Sequence, residues 1–158
     1  LRDPTAMLVS QYNWNKRNES NDWDHYGGFE RWVRDGLQNR MCKWLLSRYE
    51  EGRIDDDYLT DMPQDELYTR SAALLDEFFC IATASDLQAS LQPVFKGLGI
   101  PEKFVGFGKV SGRDFKKTIE VNDDLRAVVA EKCQADMRIW REYAGRVRDV
   151  TSAQTTAS

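Results

Sequence analysis

No apolar run in this chain approaches the roughly 20 residues that a membrane-spanning helix needs, and no signal-peptide pattern opens it. No C-x-x-C pair occurs. The three cysteines, Cys42, Cys80 and Cys133, are far apart, so neither a zinc site nor a redox pair is suggested. Each falls in an apolar pattern and reads as a buried free thiol; the spacing leaves one oxidised pair open. Histidine is nearly missing, His25 being the single one, so little here titrates near neutral pH. Positive charge is not in excess. The net charge is −4 and the pI near 5.1, and without a basic stripe nucleic acid is not expected as a partner. What is present suffices for one domain: 158 residues, 41% of them hydrophobic.

The first stretch, Leu1 to Tyr12, reads as a strand end entering a helix. Asp3 suits the N-cap and Pro4 the first turn, where its missing N–H costs nothing. The helix is expected over residues 4–15, with Met7, Leu8, Val9, Tyr12 and Trp14 as a broad apolar surface. Arg2 stands just before it. Ser10 follows Asp3 by seven residues, nearly two turns, and so on nearly the same face. A guanidinium, a hydroxyl and a helix N-terminus together suit a phosphate.

An aperiodic polar loop is expected next, ending at Gly27-Gly28 and carrying Trp23, His25 and Tyr26. Helices follow over residues 29–39, with Phe29, Trp32, Val33 and Leu37 on one side, and over 41–49, with Met41, Trp44, Leu45 and Tyr49. Asp55-Asp56-Asp57 is read as a solvated loop, because three consecutive acids cannot all face one ion; no metal is expected. Pro63 opens a helix to about Phe79, with Leu67, Ser71, Leu74 and Phe78 inside. The continuous apolar run over residues 78–83 fits a buried parallel strand. Ser85 is the expected N-cap of a helix kinked at Pro93 and closed by Gly97 and Gly99. Residues 103–117 form a basic loop whose glycines follow G-x-G-x-x-x-G, which is not a dinucleotide fingerprint. Asn122 caps one long last helix, with Leu125, Val129, Cys133, Met137, Trp140, Ala144 and Val147 along its apolar line. Residues 149–158 are small and polar and expected to be disordered, leaving 1–148 as the folded part.

Several of these stretches resemble, in order, the sulfotransferases that use 3′-phosphoadenosine 5′-phosphosulfate (PAPS). Arg2-Asp3-Pro4 with Leu8-Val9-Ser10-x-Tyr12 is similar to that family's 3′-phosphate motif. Phe29, Trp32, Asn39 and Leu45 are similar to the segment after it. The expected strand followed by Ser90-Leu91 and Leu98-Gly99-Ile100-Pro101 looks like a later unit. Lys109-Val110-Ser111-Gly112-Arg113 resembles the loop that closes over the nucleotide, and Asp136-x-x-x-Trp140 the family's ending.

The resemblance implies an α/β fold: the helix-rich C-terminal part of a P-loop-like sulfotransferase, with few short parallel strands and its upstream half elsewhere. It implies PAPS as cofactor, held by Arg2, Ser10, Lys109, Ser111, Gly112 and Arg113. The reaction would be sulfuryl transfer to an acceptor hydroxyl, closer to the carbohydrate-modifying and bacterial members. The base would lie upstream, with His25 a minor candidate. The compartment would be the Golgi lumen for a eukaryotic protein and the cytoplasm for a bacterial one. A different class stands beside this reading: a helical protein-interaction domain without cofactor.

Overall fold

Asp3 begins the fold. Its Oδ1 accepts the backbone N–H of Ala6 at 2.8 Å and its carbonyl that of Met7 at 2.8 Å, so the carboxylate satisfies a helix-end donor and faces the positive end of the dipole. The computed structural model describes residues 1–18, 27–36, 38–49, 59, 61–101 and 119–146. Among them are seven helices: α1 (Pro4–Asn18), α2 (Phe29–Asp35), α3 (Arg40–Tyr49), α4 (Gln64–Asp76), α5 (Leu87–Gly97), α6 (Asp123–Lys132) and α7 (Gln134–Tyr143).

They bury two apolar clusters. Helices α1, α2 and α6 enclose Leu8, Tyr12, Phe29, Trp32, Val33 and Val129. Tyr12 meets Phe29 and Trp32 edge-on, each at 5.5 Å between ring centroids, the arrangement that aromatic quadrupoles prefer. Helices α3, α4 and α7 enclose the second cluster, in which Leu67 and Leu75 of α4 pack with Leu46 of α3 and Ile139 of α7. On α4 the buried residues Leu67, Ser71 and Leu75 recur every four positions, and on α7 so do Ala135, Ile139 and Tyr143. Each fully buried Leu or Ile stabilises by about 1.5–3 kcal/mol relative to exposure. Helix α7 touches α1 and α6 as well, joining the clusters.

The α/β, P-loop-like expectation is overturned, because the described residues are helical and hold no strand or sheet. The run over residues 78–83 is extended rather than stranded, with only an isolated bridge residue at Cys80. Its backbone bonds go to separate partners. Ile81 donates to the carbonyl of Arg146, the nitrogen of Leu1 to that of Ala82, and Ala84 to that of Leu1. Thr83 donates to the Ser90 hydroxyl at 3.2 Å. A connector packed between helix ends needs apolar side chains as much as a strand does.

Other boundaries shift. Helix α1 runs to Asn18. Helix α2 stops at Asp35 before Gly36, where an added Cβ would lie 2.3 Å from the Trp32 carbonyl oxygen. On α3 the fully buried positions are Cys42 and Leu46, while Trp44 and Tyr49 are exposed. Helix α4 is shorter than expected, with Pro63 at its N-cap position. The cap of α5 is Asp86, not Ser85, and that helix continues through Pro93. It ends in a Schellman motif: Ile100 donates to the Phe95 carbonyl and Gly99, at φ +67°, to that of Lys96.

The expected last helix is two. The chain breaks at Cys133 (φ −121°, ψ 48°) between α6 and α7. The Asn122 cap holds, its Oδ1 accepting from Leu125 at 2.9 Å. Of the thiols, all free, Cys42 and Cys133 are buried and Cys80 half-buried.

Candidate functional site

Residues with potential for chemistry gather in two places. The first is the exposed side of α1. Thr5, Leu8, Val9 and Tyr12 turn inward, which leaves Ala6, Ser10 and Trp14 outward at four-residue steps, with Arg2 exposed ahead of the helix. Arg2 and Ser10 are thus both exposed to solvent. Seven residues at 1.5 Å per residue put Ser10 about 10 Å along the axis from Asp3. The helix end itself is taken by the Asp3 carboxylate. Ser10 therefore lies beyond the reach of the helix dipole, which fades within the first turn.

Beside Arg2 opens a cavity of about 430 Å³ between the start of α1, α3 and the 78–87 connector. Its walls are mostly apolar, and Trp44, Tyr49 and Phe78 form one side of it. Their rings run edge to face, Trp44–Tyr49 at 6.0 Å and Tyr49–Phe78 at 5.5 Å. Sequence periodicity placed Trp44 and Tyr49 in the core; instead they are 54% and 50% exposed at this cavity.

The second gathering is buried and structural. Asp136, with no exposed surface, accepts from the backbone N–H groups of Met41 at 3.0 Å and Cys42 at 2.8 Å. It therefore caps α3 from α7. Asn39, at φ 53°, returns the contact: its Oδ1 accepts from Asp136 N at 3.3 Å, capping α7. Gln64 Oε1 accepts from Asn39 Nδ2 at 3.1 Å and Gln134 N at 2.9 Å. Burial pushes the Asp136 carboxyl above its ordinary value, with the two N–H groups pulling the other way. Burial also raises the Cys42 thiol and pushes that of Cys133 up to about 11. These thiols stay protonated at neutral pH and make poor nucleophiles.

Of the residues expected to hold cofactor, the structure describes Arg2 and Ser10, both exposed, the first ahead of α1 and the second within it. Lys109, Ser111, Gly112 and Arg113 lie outside the described residues, as do His25, Trp23, Tyr26, Leu37, the Asp55–Asp57 run, Val147 and the 149–158 tail. Among the described residues, no group of three His, Cys, Asp or Glu could hold a metal ion, and no helix is long and apolar enough to cross a membrane. The Asn39–Asp136 network gave no local signal, since its partners are 97 residues apart. An acid three residues into a new helix would have marked Asp136, had the break at Cys133 been visible.

Comparison with protein-family models, curated proteins and solved structures finds no match to this chain.

Proposed function

We propose that this chain belongs to a PAPS-dependent sulfotransferase, and that Arg2 and Ser10 take the 3′-phosphate of the nucleotide along the flank of α1. The observation that supports it is the shared exposure of these two side chains, eight positions apart, beside a helix start fixed by Asp3. The guanidinium supplies charge and paired donors, the hydroxyl a further donor. Both bind and orient cofactor; neither does the chemistry. Bound there, the nucleotide would supply a sulfuryl group for transfer to an acceptor hydroxyl, and Arg2 and Ser10 are the residues that would hold its 3′-phosphate. The acceptor is proposed to be a carbohydrate or other hydroxyl compound.

A second reading, a helical interaction domain without cofactor, is favoured by α5, which buries none of its residues although Leu87, Leu91, Val94 and Phe95 recur on one side. Calorimetric titration of 3′-phosphoadenosine 5′-phosphate, with 5′-AMP as control, separates the two. Tighter binding of the 3′-phosphorylated nucleotide is expected. Equal affinity for both, or no heat with either from a helical chain, would favour the interaction domain.

A further inference from the structure

We infer that the cavity beside Arg2 is a binding site for a small apolar, aromatic-bodied molecule carrying a single negative charge, such as an aryl sulfonate, sulfate or carboxylate. This goes beyond nucleotide binding and does not rest on it. Three features carry the inference. The cavity, about 430 Å³, falls in the size range of small-molecule pockets, which are mostly apolar with a few placed polar groups. Its wall includes Trp44 and Tyr49, large rings left about half exposed when a folded chain ordinarily buries them. Met7 and Leu45 continue the apolar surface around them.

Charge then selects the ligand. Among the described residues that line the cavity, Arg2 is the one with a charged side chain, and no carboxylate shares the lining. A cation would meet no partner there, whereas a neutral ring would leave the guanidinium unused. A ligand with a ring against Trp44, Tyr49 and Phe78 and one anionic group toward Arg2 satisfies both halves of the site.

The test uses 1-anilinonaphthalene-8-sulfonate, which has this chemistry, beside N-phenyl-1-naphthylamine, which keeps the rings and lacks the charge. Both are titrated by fluorescence into the wild-type chain, Arg2→Gln and Trp44→Ala. Both altered side chains are exposed, and circular dichroism checks that helix content is kept. The sulfonate is expected to bind saturably at one site. Arg2→Gln is expected to weaken it about fivefold, an exposed ion pair being worth about 1 kcal/mol, and to leave the neutral probe unchanged. Trp44→Ala is expected to weaken both probes. Sulfonate binding that does not saturate, that ignores both substitutions, or that falls with Arg2→Gln no more than the neutral probe does would overturn the assignment.

Discussion

Asn39 and Asp136 cap each other's helices: the Asp136 carboxylate takes two N–H groups at the start of α3, and the Asn39 amide oxygen takes the Asp136 N–H in the first turn of α7. Two helix ends that would otherwise bury orphan donors are closed by one reciprocal pair. This fixes α3 against α7, and α3 supplies the aromatic wall of the cavity. Asp136→Ala would strand two buried N–H groups, each costing about 1–3 kcal/mol. We expect a loss of about 3 kcal/mol in urea unfolding, against about 0.5 kcal/mol or less for the exposed Glu120→Ala.

The same carboxyl has a pH signature. Its folded pKa is raised above the ordinary 3.8, chiefly by burial. A proton is then held more tightly in the folded state, so this group's contribution is largest below pH 3.8. It declines as pH rises through the raised folded value. Asp136→Asn removes that titration. The stability difference between wild type and Asp136→Asn is expected to shift against wild type as pH rises from about 3.8; a pH-independent difference would contradict the assignment.

Ser71 is fully buried on α4, and its Oγ has no hydrogen-bond partner; it approaches the Cys42 thiol, a weak partner, without hydrogen-bond geometry. Removing a buried hydroxyl that makes no bond removes its desolvation cost. Ser71→Ala is expected to be neutral or to stabilise by about 1 kcal/mol in thermal unfolding.

The thiols should separate by burial. Cys80 is half-buried at the cavity, while Cys42 and Cys133 are enclosed and their ionisation is pushed up, that of Cys133 to about 11. Ellman's reagent at pH 8 is expected to modify Cys80 first and the other two only on unfolding, as peptide mapping would show.

At Gly36 the chain turns against its own preceding helix. A Cβ there would sit 2.3 Å from the Trp32 carbonyl oxygen, a backbone atom that cannot swing aside. Gly36→Ala is expected to cost about 1–3 kcal/mol in chemical denaturation and to loosen the end of α2.

Local rules were readable where partners are close in sequence. Asp3 and Asn122 cap their own helices, and Phe29, Trp32 and Val33 are buried as their spacing implies. The apolar run at 78–83 misled because a short continuous run marks burial without distinguishing a strand from a packed connector. The break at Cys133 was hidden because apolar residues continue at steps of three and four across it. Trp44 and Tyr49 followed the helical period yet face the cavity, since periodicity names a face and not what covers it. The exposure of Ser10 follows from its place in the helical period, seven residues after the Asp3 cap.

Arg2 and Ser10 are proposed to hold one phosphate together. The measurement that tests it most directly is the affinity for 3′-phosphoadenosine 5′-phosphate across wild type, Arg2→Ala, Ser10→Ala and the double variant. Arg2→Ala is expected to weaken binding about tenfold or more, Ser10→Ala to weaken it less, and the double variant to lose less than the two losses combined, as groups sharing a ligand do. Affinity unchanged by either substitution would contradict it.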